Sequence, residues 1–139
     1  SYRLRLALEP AALLGPGYKL DRKILQQCRE TELRLLDGGI ATATADELHD
    51  RGVRFHESLV EASGNPFFID TIKRANRVRR LLSYRSRTKR DRYPEHCRQH
   101  LHILDLLERD RNEEASAFMR EHLEHTLRSL AKIEHILQP

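Results

Sequence analysis

Cysteine is scarce, and its two occurrences, Cys28 and Cys97, lie in helical stretches without the close pairing that a thiolate metal site uses. A disulfide framework is therefore not expected, and a reducing, cytoplasmic setting fits the usage. Apolar runs are also short: none approaches the roughly 18 residues a membrane-spanning helix needs. A charged leader followed by an apolar core, the mark of a secretory signal, is absent from the sequence. Internal repeats, low-complexity tracts and strand-like alternation are missing as well; the segment 40–44 is too short and small-residued to build a sheet. Aromatic residues do not interleave with the basic ones, so no base-stacking platform is expected.

What remains is a chain of 139 residues with 39% hydrophobic and 33% charged residues, enough for one domain with a proper core. The formal net charge is +4, and the excess gathers in one segment: Lys73, Arg74, Arg77, Arg79, Arg80, Arg85, Arg87, Lys89, Arg90 and Arg92. Such a run is read as a solvated face and loop, with direct nucleic-acid binding by this segment weakly supported.

Helical periodicity runs nearly throughout. A first helix is expected over 2–14, stopped by Gly15-Pro16-Gly17, and a second over 20–36, ended by Asp37-Gly38-Gly39. Thr44 is placed to cap a third, with Glu47 as its capping-box partner, and Gly64-Asn65 closes it. Pro66 suits the first turn of a fourth helix. A polar, basic connection follows over 85–92, Pro94 opens a fifth helix running to about 109, and Asp110 or Asn112 can cap a sixth running to about 136. Helices with short connections imply an all-α antiparallel bundle of six or seven helices. The opening residues already lie inside a helical pattern, which leads us to expect a further N-terminal part.

Of eight histidines, three stand beside apolar residues on three different expected helices: His56 on the side of Phe55, Leu59 and Val60; His100 with Ile103 and Leu104; His122 with Phe118 and Leu123. Neutral imidazole is a good ligand for zinc and related ions, and three of them leave an open position for an anion or water. The local pairs His96/His100 and His122/His125 compete as clamps, but neither has a third ligand in sequence, so partial solvation is expected of His96 and His125. His49 lies on the His56 face roughly 10.5 Å away along the axis, too far to share an ion.

The blocks Tyr2-Arg3-Leu4-Arg5-Leu6-Ala7-Leu8-Glu9-Pro10, Phe55-His56-x-x-Leu59 through Ala62-Ser63-Gly64-Asn65-Pro66, His100-x-x-Ile103-Leu104, and the helix holding His122-Leu123 occur in order along nearly the whole chain. Together they resemble the C-terminal FCD effector domain of the gluconate-repressor (GntR) family, in its fatty-acid-regulator subgroup. The resemblance implies a ligand-sensing bundle in a dimeric regulator whose operator DNA is read by a preceding winged helix-turn-helix domain. It also implies a divalent metal, zinc or nickel foremost, held by an aspartate and three histidines, with a small carboxylate or sugar acid completing the coordination. By position those histidines are His56, His100 and His122. Arg5 best matches a first-helix arginine that meets the ligand's carboxylate; Arg77, on the helix following Asn65, is a weaker second candidate whose competing reading is a solvated arginine.

One position departs from the pattern. The aspartate expected one turn before the first histidine is Gly52, and Asp50 lies about 240° round the helix from His56 at 100° per residue, so it does not substitute. A site without that carboxylate is more positive and suits a more anionic effector. Two other readings stay open. A three-histidine ion could activate water in a hydrolase, though Glu57 and Glu121, each adjacent to a site histidine, are expected to point away from the ion. Alternatively, the chain could be a metal-free dimerisation bundle.

Overall fold

A computed structural model describes residues 2–82 and 90–137, with the side chains of 79–82 and 130–137 left undescribed. The basic positions Arg85, Arg87 and Lys89, most of the expected connection, and Tyr84 lie outside the described residues. The elements are α1 (Tyr2–Ala12), α2 (Arg22–Arg34), a π-helical turn (Leu35–Gly39), the short α3 (Ile40–Thr42), α4 (Ala45–Glu61), α5 (Pro66–Leu82), α6 (Tyr93–Glu108) and α7 (Asn112–Leu137). No strand occurs among the described residues, so the fold is an all-α bundle. No described helix is long and apolar enough to cross a membrane.

Local chemistry sets most boundaries. Thr44 caps α4: its hydroxyl accepts from the Glu47 N–H at 3.1 Å and donates to the Glu47 carboxylate at 3.2 Å. Thr44→Ala should cost about 1 kcal/mol, read as a lower midpoint in urea at unchanged slope. Gly64, with φ +66°, lets the chain leave α4, and the Asn65 carboxamide oxygen then accepts from the N–H groups of Phe67 and Phe68 at the start of α5. The expected second helix is shorter than its periodicity suggests. Asp37 and Gly38 leave helical geometry, Gly38 at φ +91°, and the chain kinks into α3.

The junction of α6 and α7 also differs from the expected cap. Asp110 adopts φ +59°, its N–H bonds to Leu107 O, and the Arg111 N–H bonds to Leu106 O. This double return closes α6 rather than opening α7. Asn112 is already helical, and its side-chain amide donates to Leu13 O at 2.9 Å. Ser116 donates to Pro10 O at 2.7 Å. The first turns of α7 thereby satisfy carbonyls at the C-terminal end of α1 that have no helical partner.

The main core gathers Leu13, Leu25, Phe55, Leu59, Ile103, Leu104, Met119 and Leu123, from α2, α4, α6, α7 and the end of α1. Smaller apolar groups form under α1, α4 and α5 (Leu8, Val60, Ile72) and around the kink (Leu35, Leu48, Tyr93, Cys97). The histidines of α4, α6 and α7 lie where the main core meets the kink cluster: Phe55 of the first stacks on the His100 ring at 3.9 Å between centroids.

Candidate metal and ligand site

His56, His100 and His122 are buried, at 5%, 6% and 2% exposure, and present ligand atoms that all lie within 4.8 Å of one another. His122 Nε2 is 3.1 Å from His100 Nε2 and 3.2 Å from His56 Nε2. Two nitrogens bound tetrahedrally to zinc at about 2.0–2.1 Å would stand about 3.3–3.4 Å apart, and bound at octahedral right angles about 2.9 Å. The observed spacing falls between the two.

The other ring nitrogens explain why the Nε2 atoms converge. His56 Nδ1 lies 2.6 Å from a Glu9 oxygen, His100 Nδ1 3.0 Å from a Glu32 oxygen, and His122 Nδ1 2.6 Å from the Gln99 carboxamide oxygen. The Gln99 amide nitrogen in turn donates to Glu95 at 3.4 Å. Each of these oxygens requires a hydrogen on Nδ1, which leaves the lone pair on Nε2. With the hydrogen on Nδ1, the Nε2 lone pairs of His56 and His100 each face that of His122, at 3.2 Å and 3.1 Å. That arrangement is repulsive without a cation and is the donor set a cation needs.

The electrostatics agree. Burial, partly opposed by Glu9, lowers the His56 pKa to about 4. Burial, with His100 and His56 nearby, holds His122 well below the ordinary histidine value. Both rings stay neutral, the form that ligates. Burial would raise the Glu9 carboxyl, but Arg5 and His56 outweigh it and bring it to about 2. Glu9 thus bridges Arg5 Nε, at 2.6 Å, and His56.

Beside the Nε2 atoms lies a cavity of about 80 Å³, lined in part by Arg5, Gly52, Arg92 and His96. Gly52 turns toward this space, and a Cβ added there would meet nothing within 4 Å. Buried polar atoms without a hydrogen bond among the described residues include Arg5 Nη1, Arg92 Nε and Nη1, and His96 Nε2.

The FCD domain family profile matches residues 1–125 of the chain. The chain belongs to the FCD domain family. No curated protein and no solved structure matches it. FCD domains are regulatory, effector-binding modules, and three buried histidines of this one lie close enough to hold a metal ion.

Of the positions singled out in the sequence, the three histidines and Arg5 surround one cavity. Arg77 does not reach it: it is exposed, in a separate depression with Asp50 and Glu57. His49 lines the FCD cavity although it is not one of the three clustered histidines. His96 is buried, not partly solvated, because Tyr93, His122 and His125 surround its ring; burial, with His100 and Arg92 nearby, lowers its pKa to about 3. Glu9, Glu32, Gln99 and Arg92 carry much of the geometry and were not singled out as site residues. The available signal was an acidic residue on a core-facing stripe: Glu9 one turn after Arg5, and Glu32 in register with Leu25, Cys28 and Leu35.

Proposed function

We propose that this FCD domain is the effector sensor of a DNA-binding transcriptional regulator of the gluconate-repressor family, fatty-acid-regulator subgroup. In this reading His56, His100 and His122 hold a divalent ion, zinc or nickel, and a small carboxylate or sugar acid binds beside it. The observation that carries the reading is the set of three Nδ1 contacts, to Glu9, Glu32 and Gln99, which turn three Nε2 lone pairs toward one point. When bound, the ion supplies a Lewis-acidic anchor for a carboxylate oxygen. Arg5, with Nη1 available for a further bond, adds a charge-assisted contact. The regulator works as a cytoplasmic homodimer on operator DNA through a separate winged helix-turn-helix domain. The effector acts by favouring one of two dimer arrangements, which requires that it bind the two with different affinity.

Two features weigh against the alternatives. A hydrolase needs a general base beside the ion, but Glu9 and Glu32 are both occupied at His Nδ1 atoms. A metal-free dimerisation bundle has no use for a polar cavity lined by the three histidines and two arginines.

The test is elemental analysis of protein purified without chelators, followed by stripping and reloading with zinc or nickel. About one equivalent of ion per chain is expected, and the zinc-loaded protein should melt at higher temperature with added small carboxylates, since a ligand at 100 times its Kd stabilises by about 2.7 kcal/mol. Protein that takes up neither ion at micromolar concentration sinks the metal reading.

A further inference from the structure

We infer that the FCD cavity is built for a compact dicarboxylate rather than a monocarboxylate, with Arg92 holding the second carboxylate. The inference rests on the metal-and-carboxylate reading above and deepens it. It starts from a charge count. A divalent ion contributes two positive charges, and Arg5 and Arg92 contribute one each. Against them stand Glu9 and Glu32, the carboxylates that orient His56 and His100. Two positive charges remain. Gly52 brings no carboxylate to this wall of the cavity, although the space beside it is open. A buried excess of that size is costly unless a ligand neutralises it. A monoanion leaves half of it in place; a dianion removes it.

The donors agree with the count. Arg5 belongs to α1 and spends its Nε on Glu9, yet its buried Nη1 makes no bond among the described residues. Arg92 precedes α6, and its Nη2 reaches only the Tyr93 hydroxyl at 3.4 Å while its guanidinium lies over the Tyr93 ring. Its Nε and Nη1 are buried and make no hydrogen bond among the described residues. Nε–H and Nη1–H point to different sides of the guanidinium, so each is free to take one acceptor oxygen in a charge-assisted bond. Burying such donors without an acceptor costs about 1–3 kcal/mol per group, so their presence in a cavity wall points to an acceptor that arrives with the ligand.

Size narrows the class. At about 10–15 Å³ per water-sized position, the cavity of about 80 Å³ holds roughly five to eight such positions. Oxalate, malonate and succinate, with about six to eight non-hydrogen atoms, span that range.

The experiment is calorimetric titration of the zinc-loaded chain near neutral pH with oxalate, malonate and succinate, each against the monocarboxylate of equal carbon number (acetate, propionate, butyrate), and with inorganic phosphate. At least one dicarboxylate should bind about tenfold or more tighter than its partner acid, the scale of one added charge-assisted contact. Arg92→Ala should remove most of that advantage and leave monocarboxylate affinity within about threefold, since it deletes a contact those acids do not make. Gly52→Asp supplies the missing carboxylate where there is room for it. It should keep its zinc and move preference toward monocarboxylates, and it provides an independent reading if Arg92→Ala fails to fold.

Equal affinity for the two series with zinc bound overturns the dicarboxylate inference and leaves the carboxylate-sensor reading intact. Binding of phosphate but no dicarboxylate also overturns it. A dicarboxylate advantage that survives in Arg92→Ala removes Arg92 from the ligand. If no acid of either series binds the zinc-loaded chain, the sensor reading falls and takes the inference with it.

Discussion

Replacing His122 by alanine is expected to lower zinc or nickel affinity by more than about 100-fold. Losing a residue that merely orients a ligand costs about 10–100-fold, and in the proposed site His122 itself supplies a ligand nitrogen. It is also the central one, since its Nε2 stands 3.1 Å and 3.2 Å from the other two. Without it, His56 and His100 remain, and two neutral nitrogens make a weak site for a divalent ion. Gln99→Ala makes the graded comparison. It leaves all three rings in place but frees the His122 tautomer, so its loss belongs in the 10–100-fold range. Competition against a coloured chelator measures both. His122→Ala protein with wild-type affinity would show that the ion, if any, sits elsewhere.

Glu9→Ala should destabilise the fold by about 3–5 kcal/mol, the scale of breaking a buried ion pair from one side. For a chain of this length that is roughly 10–20 °C in Tm. The reason is geometric. Arg5 is 1% exposed, and Glu9 is its ion-pair partner at 2.6 Å, so alanine strands a buried guanidinium. Adding Arg5→Met to Glu9→Ala should recover part of the loss, because the pair is then replaced by apolar matter. The pH dependence has a defined sign. The Glu9 carboxyl falls to about 2 in the fold from an ordinary 4.5, so its contribution is complete above pH 4.5 and is lost as pH falls toward 2. Glu9→Gln should flatten the stability profile in that window. Thermal unfolding of the metal-free protein across the acid range reads this, and an unchanged profile would detach Glu9 from the buried pair.

The parts legible in the sequence are those governed by near neighbours. Thr44 with Glu47, and Gly64-Asn65-Pro66, mark helix ends by rules acting over a few residues, and the structure has the ends there. Three histidines beside apolar neighbours had to face inward if their helices packed. Gly52, one turn before His56, had to face the same way. What stayed hidden depends on contacts between distant segments. Glu9 and His56 are 47 residues apart, Glu32 and His100 are 68, and no local pattern announces either pairing. His96 was misjudged because its cover comes from α7 as well as its own helix. Asn112 looked like a cap and instead serves the end of α1, which only the packing of α7 on α1 could reveal.

The placement of His122 gives α7 a mechanical character. The helix is pinned near its start by Asn112 and Ser116 and gripped at His122, yet it runs on to Leu137. Those 15 further residues extend about 22 Å at 1.5 Å per residue. Pivoting this lever by about 5° at the histidine swings its far tip by roughly 2 Å over that length. With the helix held at Ser116, a shift of about 0.3 Å at His122, roughly 9 Å further on, becomes about 1 Å at the tip, a displacement that an adjoining protein surface can register.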